Sequence, residues 1–362
     1  MKIIVVAGAR PNFIKIAPLV REFKRSNFSD FLIVHTGQHY DYEMSKVFFD
    51  ELELQEPDYF LNVGSGTHAE QTAKVMIEFE KVCFQEKPDI TIVVGDVNST
   101  LACTIVAKKF NIKVAHVEAG LRSRDMTMPE EINRIVTDSI SDFLFVSEKS
   151  GVDNLKKEGK GDNQIFFVGN IMIDTLYYQL NKLNKNNSEK ISVKEKYGIV
   201  TLHRPSNVDI KETCQGIIEA LIEISKDIPI IFPVHPRTKN NLESFGLMIL
   251  IEQSNIKLLP PLPYMEFLEL WKDAEIVFTG SGGIQEETTA LGVPCFTIRE
   301  NTERPVTIID GTNTLVGTQK EMILNEYLKF KKGYSKKGRI PECWDGKTAR
   351  RIVHLLLKEY AV

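Results

Sequence analysis

The sequence predicts an α/β protein built from two Rossmann-like domains, each with a parallel sheet covered by helices. Apolar runs of strand length alternate with amphipathic stretches of helix length, which is typical of such sheets. The alternation lapses once, in the polar segment NKLNKNNSEKIS at residues 181–192, and then starts again. We therefore expect an N-terminal domain of residues 1–175 plus 345–362 and a C-terminal domain of residues 190–340.

Length and composition exclude several classes of protein. The chain has 362 residues, of which 43% are apolar, enough for two cores. A formal charge of -4 argues against a nucleic-acid-binding protein. The five cysteines are odd in number and form no CxxC pair, which favours reduced thiols in a cytoplasmic protein over disulfides or a zinc site. No apolar window approaches the length of about 18 residues that a membrane span needs.

The elements of the first half follow the expected rhythm. Strands are predicted at residues 3–6, 31–35, 90–94, 113–117, 143–146 and 165–168. Helices are predicted at residues 14–24, from the TGQHYD loop to about 52, at 68–86, from about 99 to 110, at 130–141 and after the strand that ends at 146. The run at 90–94 is wholly apolar or β-branched, so it belongs in the middle of the sheet.

The second half repeats the pattern. Strands are predicted at residues 198–202, 230–233, 256–259, 275–279 and 295–298, and helices at 217–225, up to 274 and at 284–291. The last amphipathic segment, residues 349–359, is predicted to be a helix that packs back against the first domain.

A glycine-rich junction is the first candidate binding site. Gly280, Ser281, Gly282 and Gly283 join a predicted strand to a predicted helix, so their N–H groups and the positive end of the helix suit a phosphate. One turn later, Glu286 and Glu287 could accept hydrogen bonds from a ribose diol. A tight turn selected only for packing is the alternative.

Arginine and histidine side chains recur just beyond predicted strand ends. A guanidinium matches phosphate oxygens in two places at once, so this recurrence suits a diphosphate between the two domains. The residues are Arg10, His203, Arg204, His235, Arg237 and Arg304.

Three carboxylates follow strands of the first predicted sheet, namely Asp96, Glu118 and Glu130. Crowded carboxylates do not all ionise easily, so we expect at least one raised pKa and hence a group able to transfer a proton. Lys15 either supplies a cation to the same place or is solvated. Two alternatives remain open: Asp96 caps the helix that begins near Ser99, and the acidic residues near Glu130 merely favour a helix start.

Nine segments together resemble the non-hydrolysing UDP-N-acetylglucosamine 2-epimerases over nearly the whole chain. These are GARPNFIKIAPL, TGQHYD, VVGDVNST, HVEAGLRS, PEEINR, TLHRPSN, PVHP, GSGGIQEE and NTERP. The resemblance implies two Rossmann-like domains with the active site in the cleft between them, the GT-B-like arrangement. It also implies a cytoplasmic homodimer that acts on a UDP-sugar, without metal or nicotinamide, to supply surface polysaccharide precursors.

The reaction that the resemblance implies is loss of UDP from UDP-GlcNAc to give 2-acetamidoglucal. UDP then adds back after a proton returns to the opposite face of C2, giving UDP-ManNAc. Carried over residue by residue, the catalytic set is Asp96, Glu118, Glu130 and His203. The substrate-binding set is Arg10, Lys15, Arg134, His235, Phe267, Ser281, Gly282, Gly283, Glu287 and Arg304.

Departures from the family pattern leave the sugar open. Asn12 stands where many members have glutamate, Val306 replaces a glutamate after TERP, and the segment between Glu118 and Glu130 is short. Several loops look closer to relatives that epimerise UDP-2,3-diacetamido-glucuronic acid, which is the alternative substrate. Changes at 12, 203–207 and after His39 also put activation by a second UDP-GlcNAc in doubt. A non-catalytic nucleotide-sugar-binding regulator and, on fold alone, a glycosyltransferase are the rivals from other classes.

Overall fold

The computed structural model describes residues 1–37, 49–185, 196–334 and 336–359. The chain forms two compact units, the first made of Met1–Tyr178 and Glu342–Val362, the second of Gln179–Pro341. Most of the TGQHYD loop, most of the helix expected after it and the second half of the expected linker lie outside the described residues. The linker's first part is not a loop, since residues 181–185 end a helix.

The first unit contains a seven-stranded parallel sheet in the order β3-β2-β1-β4-β5-β6-β7. The strands are β1 (Ile3–Ala7), β2 (Phe31–His35), β3 (Tyr59–Phe60), β4 (Ile90–Val94), β5 (Lys113–Ala119), β6 (Phe143–Val146) and β7 (Ile165–Phe167). Every residue of β1 and β4 is buried, which explains why their sequences are apolar or β-branched throughout. The order reverses between β1 and β4, the switch point at which open sheets bind ligands.

Helices cover both faces of this sheet. They are α1 (Arg10–Arg25), α2 (His68–Glu86), α3 (Asn98–Lys109), α4 (Pro129–Ile140), α5 (Lys149–Lys157), α6 (Ile171–Lys185) and, from the end of the chain, α15 (Thr348–Glu359). One core cluster joins α1 and α15 to β1, and a second lies under α2 and α3. The expected packing of the last helix on the first domain is confirmed, because Ile352, Val353 and Leu356 belong to the first of these cores.

The second unit repeats the plan with a six-stranded parallel sheet in the order β10-β9-β8-β11-β12-β13. Its strands are β8 (Gly198–Thr201), β9 (Ile230–Pro233), β10 (Ile256–Leu259), β11 (Ile276–Thr279), β12 (Cys295–Thr297) and β13 (Asn313–Leu315). Its helices are α7 (Pro205–Val208), α8 (Lys211–Ser225), α9 (Pro236–Ser244), α10 (Met248–Glu252), α11 (Tyr264–Trp271), α12 (Gly282–Leu291), α13 (Pro305–Ile309) and α14 (Lys320–Lys331). The order reverses between β8 and β11.

The predicted α/β class with two parallel sheets is confirmed, and one difference bears on the site. β5 does not end at Val117 but continues to Ala119, and its register against β6 shifts between these two residues. Glu118 lies at this bulge with a φ of 73°. It therefore projects from inside the strand and not from a loop after it. In the described part of the chain, no helix has both the length and the hydropathy of a membrane span.

Candidate active-site residues

The switch point of the first sheet is lined by the start of α1 and by the Gly95-Asp96 turn after β4. Asn12 ties these two elements together. Its Oδ1 accepts from the N–H groups of Gly8 and Ala9 at 3.1 and 2.8 Å, and its Nδ2 donates to the carbonyl of Val94 at 3.0 Å. The asparagine that departs from the family pattern is thus fully engaged in holding the loop after β1 against β4.

Lys15 and Glu118 form a buried ion pair beside this turn. The Nζ of Lys15 donates to Oε2 of Glu118, and both side chains are less than 10% exposed. Gly95 makes the pair possible, because a Cβ there would lie 2.9 Å from the Lys15 Nζ. The other carboxylate oxygen, Oε1 of Glu118, is buried and has no hydrogen-bond partner among the described residues. No donor among the described residues binds this oxygen, so it can accept a hydrogen bond or a proton from a ligand.

Asp96 is held by two residues of α4. Its Oδ2 accepts from Nη1 of Arg134 at 2.5 Å, and its main-chain carbonyl accepts from Nδ2 of Asn133 at 2.8 Å. The side chain remains 31% exposed. Val97, not Asp96, is the N-cap of α3, and no side chain caps that helix. The interpretation of Asp96 as a helix cap is therefore wrong.

The two neighbouring glutamates of α4 differ in their surroundings. Glu130 is half-buried and makes no hydrogen bond or ion pair with other described residues. Glu131 is buried, and its carboxylate accepts from the N–H groups of Ser123 and Arg124 and from Nε and Nη2 of Arg134. Burial alone would raise the pKa of Glu131, but these hydrogen bonds and the arginine charge lower it. Glu130 is free to meet a ligand, and Glu131 is not.

A buried network supports the turn from behind. His116 on β5 is fully buried, with Nδ1 2.6 Å from Oδ1 of Asp138 and Nε2 2.8 Å from the carbonyl of Gly95. Asp138 also accepts from the N–H of Gly120 and pairs with Arg122. The network fixes the ends of β4 and β5 together.

The segment between Glu118 and Glu130 uses its arginines inside the first unit. Arg122 donates through Nε and Nη2 to the carboxylate of Glu158, and Arg124 donates through Nη2 to Asn154. Glu158 follows α5 and Asn154 lies on it. Both guanidinium groups therefore have hydrogen-bond partners within the first unit.

In the second unit, the glycine-rich junction begins α12 as expected. Ser281 is the N-cap, and its N–H donates to Oγ1 of Thr279 at 2.9 Å. The guanidinium of Arg304 lies directly on the first turn, since a Cβ at Gly282 would be 2.5 Å from its Nη1. A helix N-terminus and an arginine therefore meet at one place, which is the combination that binds phosphate.

Two buried glutamates orient Arg304. Its Nε donates to Oε1 of Glu286 at 2.6 Å, and its Nη1 pairs with Oε1 of Glu303. Glu303 also pairs with Arg299 at 2.8 Å, and despite its burial the two arginines hold the pKa of its carboxyl well below the usual range. Glu286 is thus a support for Arg304, although the sequence suggested that it could reach a ribose.

Glu287 is fully buried and accepts a hydrogen bond of 2.6 Å from the hydroxyl of Tyr264. Burial, and then the charge of Glu286, raise the pKa of Glu287 to about 8, against the opposing effect of the tyrosine. A raised pKa was expected among the carboxylates of the first sheet, and that expectation stays a prediction. Here the raised value belongs to the second unit.

The remaining predicted residues of the second unit lie at the carboxyl ends of its strands or on α11. His203 follows β8 and is exposed. Desolvation by the surrounding protein lowers its pKa, and the charges of His235 and Arg204 lower it further. The Nδ1 of His235 accepts from the N–H of Arg237 at 3.3 Å and so caps α9. Phe267 is half-buried on α11.

The structure groups the predicted residues within each unit. Lys15, Asp96, Glu118 and Arg134 meet at the first sheet, and Ser281–Gly283 meet Arg304 at the second. The side chain of Arg10 lies outside the described residues, and Arg237 forms a bidentate pair with Asp209. The sequence reasoning assigned no role to the supporting residues Asn133, His116, Asp138, Glu131, Glu303 and Tyr264. The sequence feature that could have found them is a polar or charged residue at a position predicted to be buried.

Comparison with known proteins identifies the family. A family model described as UDP-N-acetylglucosamine 2-epimerase matches residues 21–357. The UDP-N-acetylglucosamine 2-epimerase of Methanocaldococcus jannaschii is 46% identical over 98% of this chain and 99% of its own length. A crystal structure of the enzyme from that organism, in complex with UDP-GlcNAc and UDP, has a TM-score of 0.91 at 46% identity, covering 99% of this chain and all of the other.

A second named activity occurs among the relatives. The UDP-2,3-diacetamido-2,3-dideoxy-D-glucuronate 2-epimerase of Pseudomonas aeruginosa is 39% identical over 90% of both chains. The family is therefore shared by enzymes that act on differently substituted UDP-sugars.

Proposed function

The chain belongs to the UDP-N-acetylglucosamine 2-epimerase family, and we propose that it is a non-hydrolysing epimerase that interconverts UDP-GlcNAc and UDP-ManNAc. The observation that carries this proposal is the family match over residues 21–357, combined with a 46% identical relative of that activity. Polar groups suited to each half of the reaction support it.

The residues of the first unit suit proton transfer at C2. The reaction needs one group to take the C2 proton and another to return a proton to the opposite face. Glu118 offers a carboxylate oxygen without a partner among the described residues, Asp96 is partly exposed beside Arg134, and Glu130 makes no bond there. We assign these three carboxylates to the acid and base roles, with Lys15 holding Glu118.

The residues of the second unit suit the leaving nucleotide. When the C2–H bond breaks, the electron pair forms the C1–C2 double bond, and the C1–O bond breaks to release UDP. Negative charge then grows on the diphosphate, where the N-terminus of α12 and Arg304 can stabilise it. We assign His235 and Phe267 to the same nucleotide, Glu287 to its ribose, and His203 to the catalytic set. Re-addition reverses these steps after protonation of C2.

The reaction is tested by proton nuclear magnetic resonance in deuterium oxide. UDP-GlcNAc should give UDP-ManNAc, and the product should carry deuterium at C2 because the base exchanges its proton with solvent. Release of free ManNAc and UDP would instead identify a hydrolysing epimerase. Transfer of the sugar only when an acceptor is added would identify a glycosyltransferase.

The second candidate substrate is UDP-2,3-diacetamido-2,3-dideoxy-glucuronic acid, which the 39% identical Pseudomonas relative supports. The same assay with this sugar ranks the two substrates by kcat/KM. Turnover of the diacetamido sugar but not of UDP-GlcNAc would change the assigned substrate and leave the proposed reaction unchanged.

Asp96→Asn is expected to lower kcat by at least about 10²-fold, because a positioned acid or base is worth about 10²–10⁴ in rate. UDP binds through the second unit in this proposal, so its dissociation constant should change little. Isothermal titration with UDP and the resonance assay measure the two effects. A variant that turns over at the wild-type rate would remove Asp96 from the proton-transfer set.

We also propose a cytoplasmic homodimer that supplies precursors for surface polysaccharide. Family resemblance supports this role, and light scattering after size-exclusion chromatography measures the assembly.

A further inference from the structure

Glu131 lies next to Glu130, the proposed catalytic residue. Its carboxylate accepts more hydrogen bonds than an acidic residue needs in order to stabilise the start of a helix. One oxygen accepts from the N–H of Arg124 at 2.9 Å. The other accepts from the N–H of Ser123 at 3.0 Å and from Nε and Nη2 of Arg134 at 3.0 and 2.6 Å. The side chain is 1% exposed, so its carboxylate contacts protein groups and not solvent.

Arg134 carries the effect of Glu131 to Asp96. Its side chain is 2% exposed, with two of its nitrogens on Glu131 and the third, Nη1, on Oδ2 of Asp96 at 2.5 Å. When an arginine is buried between two carboxylates, the buried carboxylate fixes the orientation of the guanidinium and offsets part of its charge. Asn133 holds the carbonyl of Asp96, so side chain and main chain are both set by α4.

We propose that Glu131 is a positioning residue for proton transfer, which presents Arg134 to Asp96 and partly neutralises the guanidinium so that Asp96 can both take and release a proton. This inference rests on the proposed function. Without the charge of Glu131, Arg134 would hold Asp96 more firmly in its ionised form. Asp96 would then be a weaker base.

Other titratable groups lie on the elements around Asp96 and stay constant in the comparison. They include Lys15 of α1, His68 of α2, His116 and Glu118 of β5, and Glu130 and Asp138 of α4. Glu131→Gln removes the charge at position 131 and replaces one of its two acceptor oxygens with an NH2 donor, so Glu131→Asp, which keeps the charge and both acceptors, is the matched comparison for the titration of Asp96.

The test is a carbon-13 titration of the aspartate carboxyl groups in the full chain, with Asp96 assigned by its absence in Asp96→Asn. In Glu131→Gln the midpoint of Asp96 should move to lower pH, corresponding to about three- to tenfold weaker proton binding for a lost charge at this range. Glu131→Asp, which keeps the charge, should stay near wild type. In an Arg134→Met background, Glu131→Gln should produce a smaller shift, because only the direct effect of the charge on Asp96 remains and the part carried by the arginine is lost.

Activity is measured in parallel on the same proteins. The acid limb of the kcat/KM profile should move in the same direction in Glu131→Gln, and kcat should fall about tenfold or more. Asp142→Asn is the matched control, since Asp142 accepts from Lys108 and from the N–H of Val114 at the amino ends of β5 and β6, whereas Asp96 follows the carboxyl end of β4. Its profile should match wild type.

A lower melting temperature in Glu131→Gln with an unmoved Asp96 titration would overturn the inference and leave Glu131 a purely structural residue. The titration does not depend on turnover. A wild-type chain that fails to epimerise would therefore contradict the proposed function, while the Asp96 shift would still decide the coupling.

Discussion

At the scale of single residues, Lys15 forms a buried ion pair with Glu118, a carboxylate that we propose for proton transfer. Each partner is buried, and breaking a buried pair by removing one member costs about 3–5 kcal/mol because the other charge is stranded. Lys15→Met should therefore destabilise the first unit by about that amount. Urea unfolding measures the loss.

The double variant separates stability from catalysis. Lys15→Met with Glu118→Gln removes both charges and should recover most of the lost stability, while epimerisation stays abolished. If the single variant unfolds at the wild-type urea concentration, the pair is solvated in solution and the buried arrangement is wrong.

The raised pKa of Glu287 makes a prediction about pH. The folded protein holds a proton on this carboxyl up to about pH 8, whereas an unfolded glutamate releases it near 4.5. The stability contributed by Glu287 is thus present below about pH 4.5 and is lost as the pH rises through 8. Glu287→Gln, which keeps an acceptor for Tyr264, should be more stable than wild type by roughly 4 kcal/mol at pH 8, since the folded and unfolded pKa values lie more than three units apart and one unit is about 1.4 kcal/mol.

Thermal unfolding of Glu287→Gln and wild type at pH 5 and pH 8 checks this. The difference should shrink towards zero at the lower pH. Glu266→Gln serves as the control, because Glu266 is exposed on the same stretch of chain as Tyr264. A pH-independent difference would show that Glu287 is ionised throughout.

Residue identities were predictable where a motif carries them, and supporting partners were not. Arg134 reaches Asp96 across 38 positions and Tyr264 reaches Glu287 across 23, and no local pattern encodes such distances. The same limit explains Glu286, which the sequence placed near a ribose. Its partner Arg304 lies on another loop.

At the scale of elements, α12 depends on Gly282 for a reason other than backbone freedom. A Cβ there would lie 2.5 Å from Nη1 and 2.9 Å from Cζ of Arg304. The guanidinium cannot move aside cheaply because Glu286 and Glu303 hold it. Gly282→Ala should therefore displace Arg304 and weaken UDP binding about 10- to 100-fold, or about 1.4–2.8 kcal/mol.

Gly216→Ala is the matched control in the same unit. Its nearest neighbour to a new Cβ is 3.9 Å away, and it lies inside α8, where alanine is favoured over glycine by about 0.5–1 kcal/mol. Titration calorimetry should give a wild-type affinity for this variant. Equal UDP affinities for Gly282→Ala and Gly216→Ala would show that Arg304 does not bind the nucleotide at the start of α12.

Element prediction succeeded where a buried strand or a long amphipathic helix determines the pattern. Five strands, among them β4 and β9, and the helix α2 have the predicted bounds. β3 and β13 were missed because two or three residues are too few to show a period. The bulge at Glu118 was also missed, since its cause is pairing with β6, which the local sequence does not record.

At the scale of the whole molecule, two parallel sheets share one strand order, but only the second unit is continuous in sequence. The chain leaves the first unit at Tyr178 and returns to it at Glu342. The sequence predicted this return from the amphipathic pattern of residues 349–359. It could not predict the ties that anchor it, such as the indole N–H of Trp344 donating to the carbonyl of Ser147 at 2.9 Å.

The returning segment should therefore be required by the first unit alone. Ile352, Val353 and Leu356 are at most 1% exposed, and each large-to-small change at such a site costs about 2–5 kcal/mol. Losing all three therefore costs about as much as the whole stability of an ordinary domain. A chain that ends at Pro341 should lose the calorimetric transition of the first unit and all epimerisation. It should still bind UDP measurably through the second unit, whose core contains no residue of α15. A chain that ends at Lys358 keeps the three buried side chains and should unfold like wild type. Loss of both calorimetric transitions in the chain that ends at Pro341 would show that the second unit is not independently stable.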